Sequence, residues 1–474
     1  GQRLNSLSVD EKSGCGDLHR SRFFYVFGGH MRIDLSHWRT GASLAALALA
    51  FTLSACGDPA GTSAPEPAPS QSAAPAPAAQ GFSEEGLAQL DSRLVELAAA
   101  RQRAGYVAVL ARNGEVMHTA TAGYADLEAE RPMTADTVVR VASMTKPVTA
   151  VAALMLVEDG VIALDDPVSD YIPAFANVRV ATSLQRDENY EIPTVPAARA
   201  MTVEDLLTHT SGLGYVFDYE SNLGALYIGN DIYSAEGDMN SRMEPLAGLP
   251  LYFQPGSAWF YSYASDVLGH LVAVASGQSL EDFSQQRIFR PLGMNDTTFF
   301  LRDDQRDRLA AVYTHGEDGA LTRLSDSQDT IPDSPIEAGG AGLLSTANDY
   351  IRFAQMLANG GEFEGVRLLS RDTVADMATA HVQADRMPDR MDAIDLGYGY
   401  GVGVIYDGPG EHPVRNTGDF GWSGYFDTEF FISPSTGVVA VIMSQEQPGP
   451  TTSETIGARA VFDRLVYGAI TPES

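Results

Sequence analysis

Lysine is nearly absent from this chain: among 31 basic side chains only Lys12 and Lys146 are lysine, and the rest are arginine. Arginine stays protonated and cannot act as a base, whereas a buried lysine can. A composition that has exchanged lysine for arginine almost everywhere therefore singles out Lys146. Cysteine is as scarce. Cys15 and Cys56 cannot form a zinc cluster, and no His/Cys spacing elsewhere has the form of a metal site, so no metal is expected. Positive charge is in deficit, 31 basic against 62 acidic side chains, for a net charge of −31. That balance excludes the basic face that nucleic-acid binding requires and serves solubility instead. The apolar run at 41–53 is too short for a membrane span.

What is present points to a globular protein with a large core, at 474 residues with 44% hydrophobic and 20% charged content. At its centre stands Ser143-Met144-Thr145-Lys146. Residues three apart on a helix share a face, so Ser143 Oγ and Lys146 Nζ can meet within hydrogen-bond reach. A serine hydroxyl becomes a nucleophile when a neighbouring base takes its proton. Pro147 is tolerated only in a first helical turn, which places Ser143 at or next to a helix N-terminus. There the free backbone N–H groups and the positive end of the helix dipole favour an oxyanion.

Residues 1–30 are mixed in polarity and precede Met31, and they are expected to be a non-native or untranslated extension. Arg32 and Arg39, the apolar stretch 41–53 and Leu53-Ser54-Ala55-Cys56 resemble the signal peptide and lipobox of bacterial lipoproteins over residues 31–55. The resemblance implies acylation of Cys56 and an exported protein, lipid-anchored to a bacterial membrane. Asp58, two residues beyond Cys56, favours the outer membrane, facing the periplasm. An ordinary secretory signal with a fortuitous cysteine is the alternative. Residues 56–81 are rich in Ala, Pro and Ser and read as an extended tether.

The folded body, 82–470, opens with Ser83 and an apolar helical spacing at Leu87, Leu90, Leu94 and Leu97. Asn113-Gly114 between 106–112 and 115–122 predicts a hairpin. The segment 148–157 is nearly all apolar and predicts a buried helix. From 161 to 343 short helical patterns dominate, among them 202–207 with Thr202 and Asp205 as a near capping box. Strand patterns return at 398–406, 425–432 and 438–444, with a turn at 433–437, and a helix is expected over 452–467. The expected fold is α/β. An antiparallel sheet is built from N- and C-terminal segments (82–160 and 344–470) and flanked by helices, with a mostly helical lobe inserted and a cleft at the join.

A second motif, Tyr261-Ser262-Tyr263, lies in an aromatic stretch. A phenol beside a cation can ionise, so Tyr261 can take the serine proton and pass it to a leaving group. Together with Ser143–Lys146, with Thr208-His209-Thr210-Ser211-Gly212-Leu213 and with the glycine-rich 339–346, it resembles the serine β-lactamase and penicillin-binding-protein superfamily, in its class C β-lactamase-like branch. His209 is read as a structural loop residue, and the glycine-rich segment lacks the lysine of a phosphate loop.

Two departures narrow the resemblance. No lysine follows Lys146, so the Lys-Thr-Gly strand motif is replaced, its place being taken by Trp422-Ser423-Gly424, and Tyr263 stands where Tyr-x-Asn has its asparagine. Both features are similar to family VIII carboxylesterases, with Ser423 departing from a Trp-Gly-Gly motif. The resemblance implies a serine hydrolase that cleaves short- to medium-chain acyl esters through an acyl-enzyme on Ser143, with Lys146 and Tyr261 sharing the base role and no cofactor. It places the oxyanion on the N–H groups of Ser143 and Tyr425, and Trp422, Ser423, Gly424 and Tyr263 around a small-molecule ester. Trp422 would supply an apolar wall where a cation would stand, favouring neutral acyl groups. A β-lactamase or D-amino-acid peptidase or amidase is the alternative, and a binding protein without activity a third.

Overall fold

The computed structural model describes residues 81–471 apart from 231, 234–236, 325–335, 389–390, 392–393 and 448–457. Cys56, the expected signal peptide, nearly all of the tether and residues 1–30 lie outside the described residues, as does the start of the helix expected from 452.

The main sheet has eight strands: β1 (Gly105–Arg112), β2 (Glu115–Asp126), β3 (Arg131–Pro132), β4 (Leu396–Tyr398), β5 (Gly403–Ile405), β6 (Phe420–Gly424), β7 (Thr428–Ser433) and β8 (Val438–Met443). Their order is β4-β5-β6-β7-β8-β1-β2-β3. The β1–β2 hairpin turns on Asn113 and Gly114, both at positive φ as a two-residue turn requires. The N- and C-terminal parts meet where β1 runs antiparallel to β8, Val109 opposite Val441 and Ala111 opposite Val439.

Six helices matter for the site: α1 (Glu84–Ala99), α2 (Thr145–Glu158), α3 (Val203–Leu207), α4 (Ala264–Ser276), α5 (Ala347–Ala358) and α6 (Ala458–Ala469). Ser83 caps α1 by accepting the Gly86 N–H at 3.1 Å. Leu90, Leu94 and Leu97 are the face it buries. Strand period sorts β1 between two cores. Tyr106, Ala108 and Leu110 pack with α1 and α6, while Val107, Val109 and Ala111 pack with α2, α4 and α5. Coverage on both faces explains why β1 reads as one apolar run rather than an alternation. Buried from Thr145 to Leu156, α2 lies between the sheet and the inserted lobe. The capping box of α3 forms as expected, Thr202 Oγ1 accepting the Asp205 N–H and Asp205 accepting the Thr202 N–H.

Two sequence expectations need correction. The run 398–406 is two strands, β4 and β5, folded back on each other through a turn with Gly401 at φ 74°. The run 425–432 begins only at Thr428, because 425–427 form the turn from β6 to β7. Within the mostly helical inserted lobe, Arg179–Ala181 pairs with Thr194–Pro196, and Tyr313–His315 with Leu321–Arg323. Strand propensity does not reveal such breaks, because apolar turn residues look like strand residues until their neighbours are known.

Candidate active site

Ser143 sits in a single 3₁₀ turn, Ala142–Met144, that leads directly into α2. Ala142 is held at φ 46°, a left-handed conformation unfavourable for a residue with a Cβ. Surrounding bonds sustain it. The Val141 N–H donates to Leu343 O at 3.1 Å and Tyr350 Oη donates to Met144 O at 2.8 Å. Thr428 Oγ1 donates to Val141 O at 3.2 Å.

Lys146 Nζ lies 3.2 Å from Ser143 Oγ and donates to Gly340 O at 2.7 Å. It stands over the faces of Tyr261, 4.5 Å from the ring centroid, and Tyr215, at 5.5 Å. Only 1% of Lys146 is exposed, so this cage of one hydroxyl, one carbonyl and two aromatic faces replaces water around its cation. Gly340 also donates its N–H to Asp266 Oδ1 at 3.0 Å, and Tyr233 Oη donates to Asp266 Oδ2 at 3.1 Å. Burial pushes the Asp266 carboxyl up to about 6, against the pull of the Lys146 charge and the Gly340 N–H. A Cβ on Gly340 would sit 2.5 Å from Asp266 Oδ2, which accounts for the glycine there. Sequence reasoning missed this Lys146–Gly340–Asp266 chain. Its signals are a glycine pair without a phosphate-loop lysine and the one acidic residue of α4.

Tyr261 comes from the segment just before α4. Its hydroxyl accepts the Trp422 Nε1–H at 3.2 Å, so Trp422, expected as an apolar wall, is a hydrogen-bond donor. His209, fully buried at φ 56°, holds this segment in place. Its Nδ1 accepts the Ser262 backbone N–H at 3.2 Å and lies 3.0 Å from the Ser262 hydroxyl. An acceptor at Nδ1 assigns the proton of the neutral ring to Nε2. Burial, with the charge of Lys146 adding to it, holds His209 well below the usual histidine range, so the ring stays neutral. Its ring centroid is 5.0 Å from that of Tyr261. His209 is thus a structural support.

The remaining expected residues divide. Gly424, at the end of β6, meets the serine turn backbone to backbone, and a Cβ there would overlap Val141 O and Thr428 Oγ1. That approach brings Tyr425 against Ala142, with which it shares an apolar cluster. Tyr263 has no exposed surface, and its ring packs on Tyr215 and Tyr233 behind the site. Ser423 pairs with Glu429 while Trp422 pairs with Phe430, so strand alternation turns the Ser423 side chain to the opposite face of the sheet from Trp422.

The beta-lactamase family model matches residues 90–463. This chain belongs to the beta-lactamase family. A relative in that family, Esterase EstB of Burkholderia gladioli, is 32% identical over 395 residues, covering 77% of this chain and 93% of EstB. Protein Rv1367c of Mycobacterium tuberculosis is 34% identical over 401 residues, covering 77% of this chain and 94% of its own. Among solved structures, that of EstCE1, a hydrolase with promiscuous acyltransferase activity, superposes with a TM-score of 0.67. It is 24% identical and covers 81% of this chain and 99% of its own, a likeness of fold. The match to the family therefore spans Ser143, Lys146, Tyr261 and Trp422.

Proposed function

We propose that this protein is a serine carboxylesterase that cleaves short- to medium-chain acyl esters through an acyl-enzyme on Ser143. The observation that carries the reading is the contact of Ser143 Oγ with the buried Lys146 amine, which stands over the face of Tyr261, whose hydroxyl is bonded to Trp422. The similarity to EstB over most of both chains supports it.

Ser143 Oγ attacks the ester carbonyl carbon while its proton passes to Lys146 or Tyr261, which share the base role. The oxyanion rests on the N–H groups of Ser143 and Tyr425, where loss of one donor typically costs about a hundredfold or more in rate. Collapse breaks the ester C–O bond, and the alkoxide leaves with the proton held by the base. Water, activated by the same base, then hydrolyses the acyl-enzyme. Trp422 presents an apolar edge and a neutral N–H where the superfamily has a cation, which favours an uncharged acyl group over a substrate carboxylate.

A side-by-side rate comparison tests the reading, with p-nitrophenyl acetate, butyrate and octanoate, nitrocefin, and a D-alanyl-D-alanine peptide. Short esters are expected to turn over fastest. Faster nitrocefin or peptide turnover would move the protein to β-lactam or cell-wall chemistry. Ser143→Ala should abolish both ester hydrolysis and fluorophosphonate labelling, and substantial residual activity in that variant would overturn the mechanism.

The location we propose is a bacterial membrane, through a lipid on Cys56, with the enzyme facing the periplasm from the outer membrane. Leu53-Ser54-Ala55-Cys56 after an apolar stretch, with a Pro-rich tether beyond it, supports this. Radiolabelled palmitate should enter the wild-type protein and not Cys56→Ser. Equal incorporation would rule the anchor out.

A further inference from the structure

Tyr425, Phe426 and Asp427 form the three-residue link between β6 and β7, with Gly424 opposite Thr428 at its base. Such loops end in a left-handed residue, commonly glycine. Here the left-handed position is Asp427, at φ 62°. Its carboxylate accepts Arg103 Nε at 2.7 Å. The same guanidinium reaches Glu446 Oε1 at 3.1 Å, and His315 Nδ1 lies 2.8 Å from that oxygen. The Glu446 N–H in turn donates to Phe426 O at 3.2 Å. All four charged or titratable groups are buried, Arg103 and Asp427 each 4% exposed, Glu446 2% and His315 9%.

Burying four such groups costs desolvation that well-packed apolar side chains would avoid, so stability alone does not account for them. Two of them bond the turn that carries Tyr425: Arg103 through Asp427, and Glu446 through its N–H to Phe426 O. We propose that Arg103 and Asp427 are positioning residues for the oxyanion-binding N–H of Tyr425. Their ion pair locks the turn's left-handed end, while Phe426, packed with Ala142 and Val312, ties its middle to the serine turn. Aspartate tolerates the left-handed conformation and supplies the carboxylate, which glycine could not. The inference rests on the esterase reading above, in which that N–H faces the reacting carbonyl.

The test uses the full-chain protein with Asp427→Gly, Asp427→Asn and Arg103→Met. Glycine suits the backbone at φ 62°, so Asp427→Gly should fold even where Arg103→Met, which strands two carboxylates, does not. Asp427→Gly is expected to lose about tenfold or more in kcat with KM within about twofold. The rate of Ser143 labelling by a fluorophosphonate and the affinity for a trifluoromethyl ketone, which binds as an oxyanion adduct, should fall by a similar factor. Asp427→Asn, which keeps the backbone preference and an acceptor for Arg103, should recover part of the loss. Wild-type kcat, labelling and ketone affinity in Asp427→Gly, with only a lower melting temperature, would assign the cluster to stability and sink the proposal while leaving the esterase reading intact. If the wild type itself neither hydrolyses esters nor labels, the esterase reading fails and this inference with it.

Discussion

The indole Nε1–H of Trp422 donates to the hydroxyl oxygen of Tyr261 at 3.2 Å, joining residues 161 apart in the chain. The donor steadies the phenol oxygen and supports negative charge developing on it during proton transfer. It is neutral, so it does this without offering a cation to a substrate carboxylate. In the proposed mechanism one residue thereby combines two roles, proton-transfer support and discrimination against anionic substrates.

Trp422→Phe keeps the apolar wall and removes the donor. The loss of one hydrogen bond to the reacting group predicts about a tenfold drop in kcat for p-nitrophenyl butyrate, with KM nearly unchanged. A rise in KM at constant kcat would instead make Trp422 a binding wall alone.

Lys146→Arg keeps a positive charge and removes the amine that can take a proton. The expected loss is about a thousandfold in kcat, within the range for a general base. Activity within about tenfold of wild type would show that Lys146 acts through its charge and that Tyr261 alone takes the serine proton.

Gly340→Ala places a methyl group 2.5 Å from Asp266 Oδ2 in the undisturbed structure, so the buried Asp266 carboxylate or the segment whose carbonyl holds Lys146 Nζ must shift. The prediction is a loss of about a hundredfold in kcat, the amine no longer being held beside Ser143. Near-normal kinetics would show that the Gly340 carbonyl does not position Lys146.

Asp266 gives a signature in stability against pH. Its carboxyl is raised to about 6 in the fold, above the ordinary carboxylate value. The folded state therefore binds a proton that the unfolded chain has released, and stability falls as pH rises from 5 to 7. Asp266→Asn should abolish about 1 kcal/mol of that fall, read from urea denaturation at the two pH values. Asp349, also raised to about 6 by burial, contributes a fall of the same sign that the variant keeps. Parallel pH profiles for the two proteins would show that Asp266 does not titrate in this window.

The features legible without coordinates are those set by near neighbours. Ser143 and Lys146 meet because three residues on a helix bring side chains to one face, and Pro147 locates that helix's start. Asn113-Gly114 makes its hairpin and Thr202 with Asp205 makes its cap for equally local reasons. The sheet joining both ends of the chain follows from where the strand patterns fall. Tyr261 was found by its motif, but its partner was not.

Orientation and long-range contact were decided only by the tertiary structure. In sequence Trp422 is an apolar wall, and its N–H has a target only because the fold brings β6 beside the segment that precedes α4. Ser423 and Tyr263 were expected around the substrate. Strand alternation turned the first to the other face of the sheet, and packing on Tyr215 and Tyr233 put the second behind the site. Lys146 and Gly340, 194 residues apart, carry no mark in sequence that they share a hydrogen bond. Asp266 looks in sequence like a polar interruption of α4, and becomes part of the site only because Gly340 lies against that helix. Sequence determined that Ser143 and Lys146 meet, because helical geometry is local. The supports of that amine, of the phenol and of the oxyanion turn depend on how distant segments close on one another, which only the packed core decides.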